Sequence, residues 1–404
     1  MRDALANERV LDFCWVGAGA LVTKLLAEHG AEVIKVESRA RPDNLRVAPP
    51  YREGAEGLDG SGYFASRNND KQSFALNMGN PKARAITQRL VAKCSIVTNN
   101  FRPGVMERWG LGHDELCARQ PSLIYLAMPM QGGDGPHRDF VGFGSTIAAL
   151  SGLVDLSGRP DRPPVGTGTH YPDHIPNPGH ALVALLAAIY ERERTGEGRA
   201  IELSQLESTV NVLAPALIAT SGYGARLSRH GNRSDAHSPS GVFACAGDDR
   251  WCALAARSEE EWLALTEVLE RPEWAHDPRF ATLELRKREE EELEQLIAER
   301  TRTLDARTLM ERLQERGVPA AVVQSSKDLL EDPHLAARRF WHTLHHPAMG
   351  EIVGIGAPYR GETDIWGPSR AAPLLGEHTR SVAESLLEMS GEEVDQLVAE
   401  GVLA

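Results

Sequence analysis

Positive charge is in short supply in this chain. It carries 44 Lys and Arg against 57 Asp and Glu, a formal net charge of −13. A surface with that mean field repels phosphate, which excludes general binding of nucleic acid or of an anionic membrane and leaves room only for a local cationic pocket. Cysteine is scarce too. Cys14, Cys94, Cys117, Cys245 and Cys252 are scattered with no C-x-x-C pair, so they read as reduced thiols rather than a disulfide frame or a zinc site. The longest apolar run, residues 181–190, is too short to span a bilayer. Residues 1–9 hold no basic stretch followed by an apolar core, so no signal peptide is expected and the cytoplasm is the expected compartment. There is no H-E-x-x-H, no G-x-S-x-G elbow and no G-x-x-x-x-G-K phosphate loop.

What is present is helix–strand alternation in 404 residues, enough for two domains with real cores. Residues 10–16 have strand character. Gly17-Ala18-Gly19 supplies a turn, and residues 20–29 have helical spacing with Leu21, Leu25 and Leu26 on one side. Gly30 ends that helix and residues 32–36 are a second strand, making a βαβ unit with parallel strands. A helix over 81–93 carries Ile86, Leu90 and Val91 inward. Strands at 94–99 and 123–128 flank a helix at 111–119, so the class is α/β with a mostly parallel sheet. Residues 155–178 form a long Gly-, Pro- and Asp-rich loop, a length that usually goes with function or disorder. An apolar helix (180–193), a strand (200–203) and another apolar helix follow. Composition shifts near Ser221: a linker over 221–240, a hairpin over 241–256, helices at 259–270, 286–300 and 306–316, then a strand at 320–323. The Glu289–Glu292 run reads as a solvated helix face, with Leu285, Leu293, Leu296 and Ile297 inward. Residues 379–400 read as a helical end.

Several groups could carry chemistry. Gly17-x-Gly19 with Glu37 twenty residues on is close to a dinucleotide fingerprint, but Val22 stands where the third small residue is needed, which leaves a generic strand-to-helix turn. His170, His174 and His180 flank Asp173, yet Pro172, Pro176 and Pro178 break any helix there, so no metal site is expected. The pair His345-His346 falls in an expected loop. Arg39, Arg41 and Arg46 follow the second strand, and Asn100-Phe101-Arg102-Pro103-Gly104 with Arg108 follows the strand ending at Asn99. Both groups lie at the C-terminal edge of the sheet, where open α/β sheets bind ligands. They make a cationic rim suited to phosphates, with Phe101 able to stack on an adenine; the alternative is pairing with surface Asp and Glu. Asp173 sits in the long loop just before an apolar helix. On position alone it reads as a helix cap or loop-ordering residue, with a reactive carboxylate as the other reading.

Together these motifs resemble the family III CoA-transferases, a family that also includes carnitine CoA-transferase, formyl-CoA transferase and α-methylacyl-CoA racemase. The resemblance rests on Val10-Leu11-Asp12 with its glycine turn, Gly30-Ala31-Glu32-Val33-Ile34-Lys35-Val36-Glu37, Leu76-Asn77, the Asn100–Gly104 stretch with Arg108, Gly110-Leu111-Gly112 and Gln131-Gly132-Gly133-Asp134-Gly135-Pro136. It continues through Arg192 to Gly198 with Ile201-Glu202-Leu203-Ser204, then Asp277-Pro278-Arg279-Phe280, Gly317-Val318-Pro319-Ala320 and Leu375-Gly376-Glu377-His378-Thr379. It implies a Rossmann-like large domain built from residues 1–222 and 326–404, a small α+β domain at 223–325 inserted between them, and two chains interlocked as a homodimer. It also implies that acyl-CoA and a free carboxylic acid are the substrates, with no permanently bound cofactor and no metal. By the same carry-over Asp173 is the nucleophile; Val16, Arg39, Leu76, Asn100, Phe101, Arg102 and Arg108 hold CoA; and Gly17, Phe143 and Tyr171 face the acid. Asp155 and Asp161 are the fallback nucleophiles. Formyl-CoA transferases carry glutamine at the position of Gly17 and a glycine-rich lid where this chain has Ser238-Pro239-Ser240-Gly241, so the resemblance points away from oxalate. The racemase branch has a histidine where Phe143 stands, which removes one of two acid–base groups. The family's lysine falls on Gly79, with Lys71 and Lys82 as nearby substitutes.

Overall fold

The computed structural model describes residues 3–55, 57–362 and 364–404. Its centre is a parallel sheet of β1 (Arg9–Asp12), β2 (Glu32–Glu37), β3 (Gln72–Ala75), β4 (Ile96–Asn99), β5 (Ile124–Ala127) and β6 (Ala200–Glu202). The strand order is β3-β2-β1-β4-β5-β6, with every neighbouring pair parallel. The chain starts in the middle and winds outward both ways, so β1 and β4 lead to opposite edges and leave a crevice between their C-terminal ends. The helices that matter here are α1 (Ala18–Glu28), α2 (Gly62–Arg67), α3 (Ala83–Val91), α4 (Val105–Arg108), α5 (His113–Arg119), α6 (Gly144–Leu150), α7 (Tyr171–His174) and α8 (Pro176–Thr195).

Strand alternation explains both cores. Val10, Val33, Ile96 and Ile124 point to one face, packing with Val22 and Leu26 of α1 and Ala181 and Leu185 of α8. Their neighbours Leu11, Ile34, Val97 and Tyr125 point to the other, against Ile86 and Leu90 of α3 and Val382, Val394 and Val402 from the chain's last segment. A parallel sheet covered on both faces needs near-continuous apolar strands, which these are.

Contact density divides the chain into two units. One holds the chain up to Asp155, Gly166–Leu227 and His334–Ala404; the other holds Leu156–Val165 and Ser228–Pro333. The second unit has an antiparallel sheet of Ser240–Ala244, Trp251–Ala255 and Ala320–Val322 around a core of Trp262, Phe280, Leu293 and Leu309. No helix among the described residues is long and apolar enough to cross a membrane.

Several expectations need correction. The first strand stops at Asp12, because the next residues enter a tight loop. His345-His346 lies in a strand, Trp341–His346, paired with Gly350–Ile355. The helix expected over 286–300 is two, Leu283–Arg288 and Glu290–Thr301, and Glu290 is buried with Lys287 at 2.7 Å rather than solvated. The helical end is also two, Thr379–Ser385 and Gly391–Ala399; Glu388 has φ 55° between them and Ser390 caps the second. Pro172 and Pro176 do not prevent helix formation. They stand in the first turns of α7 and α8, where the missing N–H has no intrahelical acceptor to lose.

Candidate active site

The loop leaving β1 is held by buried charge. Asp12 Oδ1 accepts from the Cys14 amide (2.9 Å) and the Thr98 hydroxyl (3.0 Å); Oδ2 accepts from Thr23 (2.7 Å) and lies 3.2 Å from Lys71 Nζ. Lys35 Nζ donates to the Cys14 carbonyl (2.7 Å) and pairs with Asp43 at 2.8 Å. Asp43 Oδ1 in turn accepts from the Val16 and Leu45 amides, both at 3.0 Å. Asn100 grips the Trp15 peptide from both sides, Oδ1 accepting from its N–H (2.9 Å) and Nδ2 donating to its carbonyl (2.6 Å). These bonds keep Val16 at φ 61°, a left-handed conformation that a β-branched residue adopts only when its surroundings impose it. Burial pulls Lys71 down to about 8, against the attraction of Asp12.

Asp173 reaches this loop from α7. Its carboxyl lies between two glycines. A Cβ on Gly144 would fall 2.4 Å from Asp173 Oδ2, and one on Gly17 would fall 2.8 Å from its Cβ. Gly17 precedes α1, which has no side-chain cap, so the uncapped start of that helix lies beside the carboxyl. Burial raises the Asp173 pKa to about 6; the nearby His170 and a hydrogen bond from the Gly144 amide pull the other way. Next to it, His174 accepts or donates between the Tyr63 hydroxyl (Nε2, 3.1 Å) and the Thr169 hydroxyl (Nδ1, 3.1 Å). Burial, with Arg67 and His170 nearby, lowers His174 to about 4, so the ring is neutral.

The expected ligand residues divide. Arg39 and Arg108 are exposed, and neither pairs with a carboxylate among the described residues. Phe101 stands edge-on to Trp15 (5.4 Å) and to Trp109 (5.6 Å), Arg41 lies 5.6 Å from the Trp15 ring, and the buried Trp15 Nε1 lacks a partner. Arg102 donates to the Asp139 carbonyl at 2.9 Å. Asn100 spends its amide on Trp15. Leu76 packs inside the core, so a ligand there meets backbone. Phe143 is exposed beside Gly144, and Tyr171 is half-buried at the start of α7.

Arg46 is not part of the rim. It is fully buried, its guanidinium fork on Glu37 (2.7 and 2.8 Å) and on Asp59 (2.7 Å). Lys71 is sequestered on Asp12 and the Ala20 carbonyl, and Lys82 pairs with Glu400, so neither stands free in place of the lysine expected at Gly79. Asp161 is exposed and tied to Arg159 at 3.0 Å, which lowers its pKa and its nucleophilicity; Asp155 is exposed at a turn. Gly144, Asp43 and Tyr63 stand around Asp173 and its loop without any motif that marks them, whereas Lys35 falls inside the Gly30–Glu37 stretch. Asp43 is needed at three points, the Val16 and Leu45 amides and the Lys35 ammonium, and the left-handed Val16 is not visible in sequence.

A doubly wound α/β fold with a buried carboxyl of raised pKa beside the loop that leaves β1 is the arrangement of an α/β enzyme whose ligand sits outside the carboxyl ends of the strands. The chain belongs to CoA-transferase family III, whose model matches residues 5–379. It is 33% identical over 399 residues to succinyl-CoA–D-citramalate CoA-transferase of Chloroflexus aurantiacus, covering 99% of this chain and 98% of that one. It is 34% identical to succinyl-CoA:mesaconate CoA-transferase of Haloarcula hispanica, covering 93% and 94%. Among solved structures, a CaiB/BaiF family protein from Brucella suis superposes with a TM-score of 0.88 at 28% identity, covering 96% of this chain and all of that one. The chain is accordingly a CoA-transferase.

Proposed function

We propose that Asp173 is the nucleophile that carries CoA from an acyl-CoA donor to a free carboxylic acid larger than oxalate. The observation that supports this is a carboxyl buried between Gly17 and Gly144, at the open start of α1. The Asp173 carboxylate attacks the donor thioester carbonyl, and the C–S bond breaks to give a mixed anhydride and CoA thiolate. The thiolate attacks the aspartyl carbonyl of that anhydride, releasing the donor acid and leaving an aspartyl-CoA thioester. The acceptor carboxylate attacks this thioester and expels the thiolate. The thiolate then takes the acyl carbonyl of the new anhydride and frees Asp173. Each tetrahedral oxyanion needs preorganised donors, which the first-turn amides of α1 supply, and burial keeps water from the anhydride. Val16, Arg39, Phe101, Arg102 and Arg108 line the CoA path, with Asn100 and Leu76 supporting it from behind; Phe143 and Tyr171 border the acid.

Mixing the enzyme with succinyl-CoA and trapping with hydroxylamine or borohydride gives a mass change that maps to Asp173 and is absent from Asp173→Ala. Absence of any carboxyl adduct, with deuterium exchange at the acyl α-carbon, assigns the protein to α-proton chemistry instead. Because only the ionised carboxyl attacks, kcat/KM falls about tenfold per pH unit below the Asp173 pKa of about 6 and is level above it. A profile level to pH 5 removes Asp173 from the attacking role.

The unit of function is an interlocked homodimer in a reducing cytoplasm, the residues 223–325 acting as its small domain. Supporting this, Val183, Leu186 and Tyr190 on α8 and Leu217, Ile218 and Tyr223 on the helix Ala214–Tyr223 leave apolar surface uncovered in the single chain. Light scattering gives twice the 44.1 kDa chain mass; a single-chain mass overturns the assignment.

A further inference from the structure

Arg67, the last residue of α2, is a largely buried cation without a counter-ion. Its Nε has no contact with solvent and no acceptor, and no carboxylate among the described residues pairs with it. The same chain shows what a structural buried arginine looks like. Arg46 places its fork on Glu37 and Asp59, and Arg286 donates to Glu259 and to the Ser238 and Phe280 carbonyls. Leaving one guanidinium nitrogen buried without an acceptor, and the charge without a carboxylate, is costly, so an anion from outside the chain is its natural complement.

The position of Arg67 identifies where that anion sits. Its guanidinium carbon lies 5.8 Å from the ring of Tyr63, one turn earlier on α2. The Tyr63 hydroxyl reaches His174, the residue next to Asp173, and Tyr63 feels the charges of both Arg67 and Asp173. Asp173 is not itself the missing counter-ion: an ion pair with Arg67 lowers a carboxyl pKa, whereas burial leaves this one raised and Arg67 is not among the groups acting on it. His174 is neutral and occupied at both nitrogens, so it does not compete for the anion.

We propose that Arg67 receives the second carboxylate of a dicarboxylic acyl group while the first reacts at Asp173, with the Tyr63 hydroxyl bordering the intervening methylenes. Arg67 thereby selects four- and five-carbon diacids over monocarboxylic acids of the same length. This rests on the CoA-transfer reading above. A guanidinium suits the task because it grips a carboxylate with two parallel bonds and keeps its charge when buried.

The test is identity exchange: isotope-labelled succinate into succinyl-CoA, and labelled butyrate into butyryl-CoA, by the full-length wild type, Arg67→Met and Arg67→Lys. The wild type favours succinate. Arg67→Met loses roughly 30- to 100-fold in kcat/KM for succinate, mostly through KM, while butyrate exchange stays within about threefold; Arg67→Lys recovers part of the loss. The unchanged butyrate rate also shows that the variant is folded. Equal losses for both acids, or a wild type without preference, overturns the inference while leaving the trapped Asp173 adduct intact. A wild type that forms no adduct overturns the reading beneath it as well.

Discussion

Asp173→Asn loses CoA exchange by at least about 1,000-fold, yet the folded protein becomes more heat-resistant at pH 8. The two effects share one cause. Burial raises the Asp173 pKa from 3.8 to about 6, so between those values the folded chain holds a proton that the unfolded chain has already released. Stability therefore falls as pH rises through that window, and above it the native state bears the whole cost of an ionised, desolvated carboxylate. For a carboxyl displaced this far from its ordinary value, that cost is on the order of 3 kcal/mol. Asparagine keeps the shape and removes the charge. Melting curves for the two proteins should separate by a few degrees at pH 8 and meet near pH 4. A variant that melts lower than wild type at pH 8 would show that the ionised carboxylate is compensated by its neighbours.

Asp12→Ala has the largest expected effect on stability. It removes an acceptor from Cys14, Thr98 and Thr23 and leaves Lys71 buried without its carboxylate. Breaking a buried pair from one side costs about 3–5 kcal/mol, a large fraction of a domain's margin. Urea titration measures it. Adding Lys71→Met to Asp12→Ala should recover part of the loss, because the stranded cation goes with it. If the double variant is weaker than the single by the full cost of a second independent site, the two residues are not coupled and the network account is wrong.

How much of this was legible in the sequence depends on the reach of each interaction. The βαβ start could be read because Val10 and Leu11 alternate between two covered faces, a signal contained in a few consecutive residues. The arginine rim could be read in part, since Arg39 and Phe101 each follow a strand whose direction is set by the parallel order. Arg46 shows the limit: it follows the same strand as Arg39, but Glu37, nine residues before it, and Asp59, thirteen residues after it, turn it inward. Lys71 is hidden for the same reason, as its partner Asp12 lies 59 residues earlier. The reading of Asp173 as nucleophile rests on resemblance alone, because the prolines around it look like breakers in sequence whereas they occupy helix first turns. Tyr63 and Arg67 lie on six residues of helix, too few to show a periodicity.

The return of the chain's last segment to the sheet has a consequence for biosynthesis. The sixth strand is complete at Glu202, whereas Val382, Val394, Val402 and Leu403, which cover one sheet face, come up to about 200 residues later. Ile86 and Leu90 of α3 cover part of that face early, but at ribosomal speeds of roughly 5–20 residues per second the part left to the last segment stays open for about 10–40 s. During that interval the nascent sheet is a target for chaperones and for self-association. The Val402 carbonyl then accepts from the Asn77 amide, and the Ala404 carbonyl from the Arg39 amide. A late-arriving segment thus seals the fold and steadies the backbone beside the ligand rim, so deleting a few residues after Gly401 harms the nascent protein's yield before it harms its turnover.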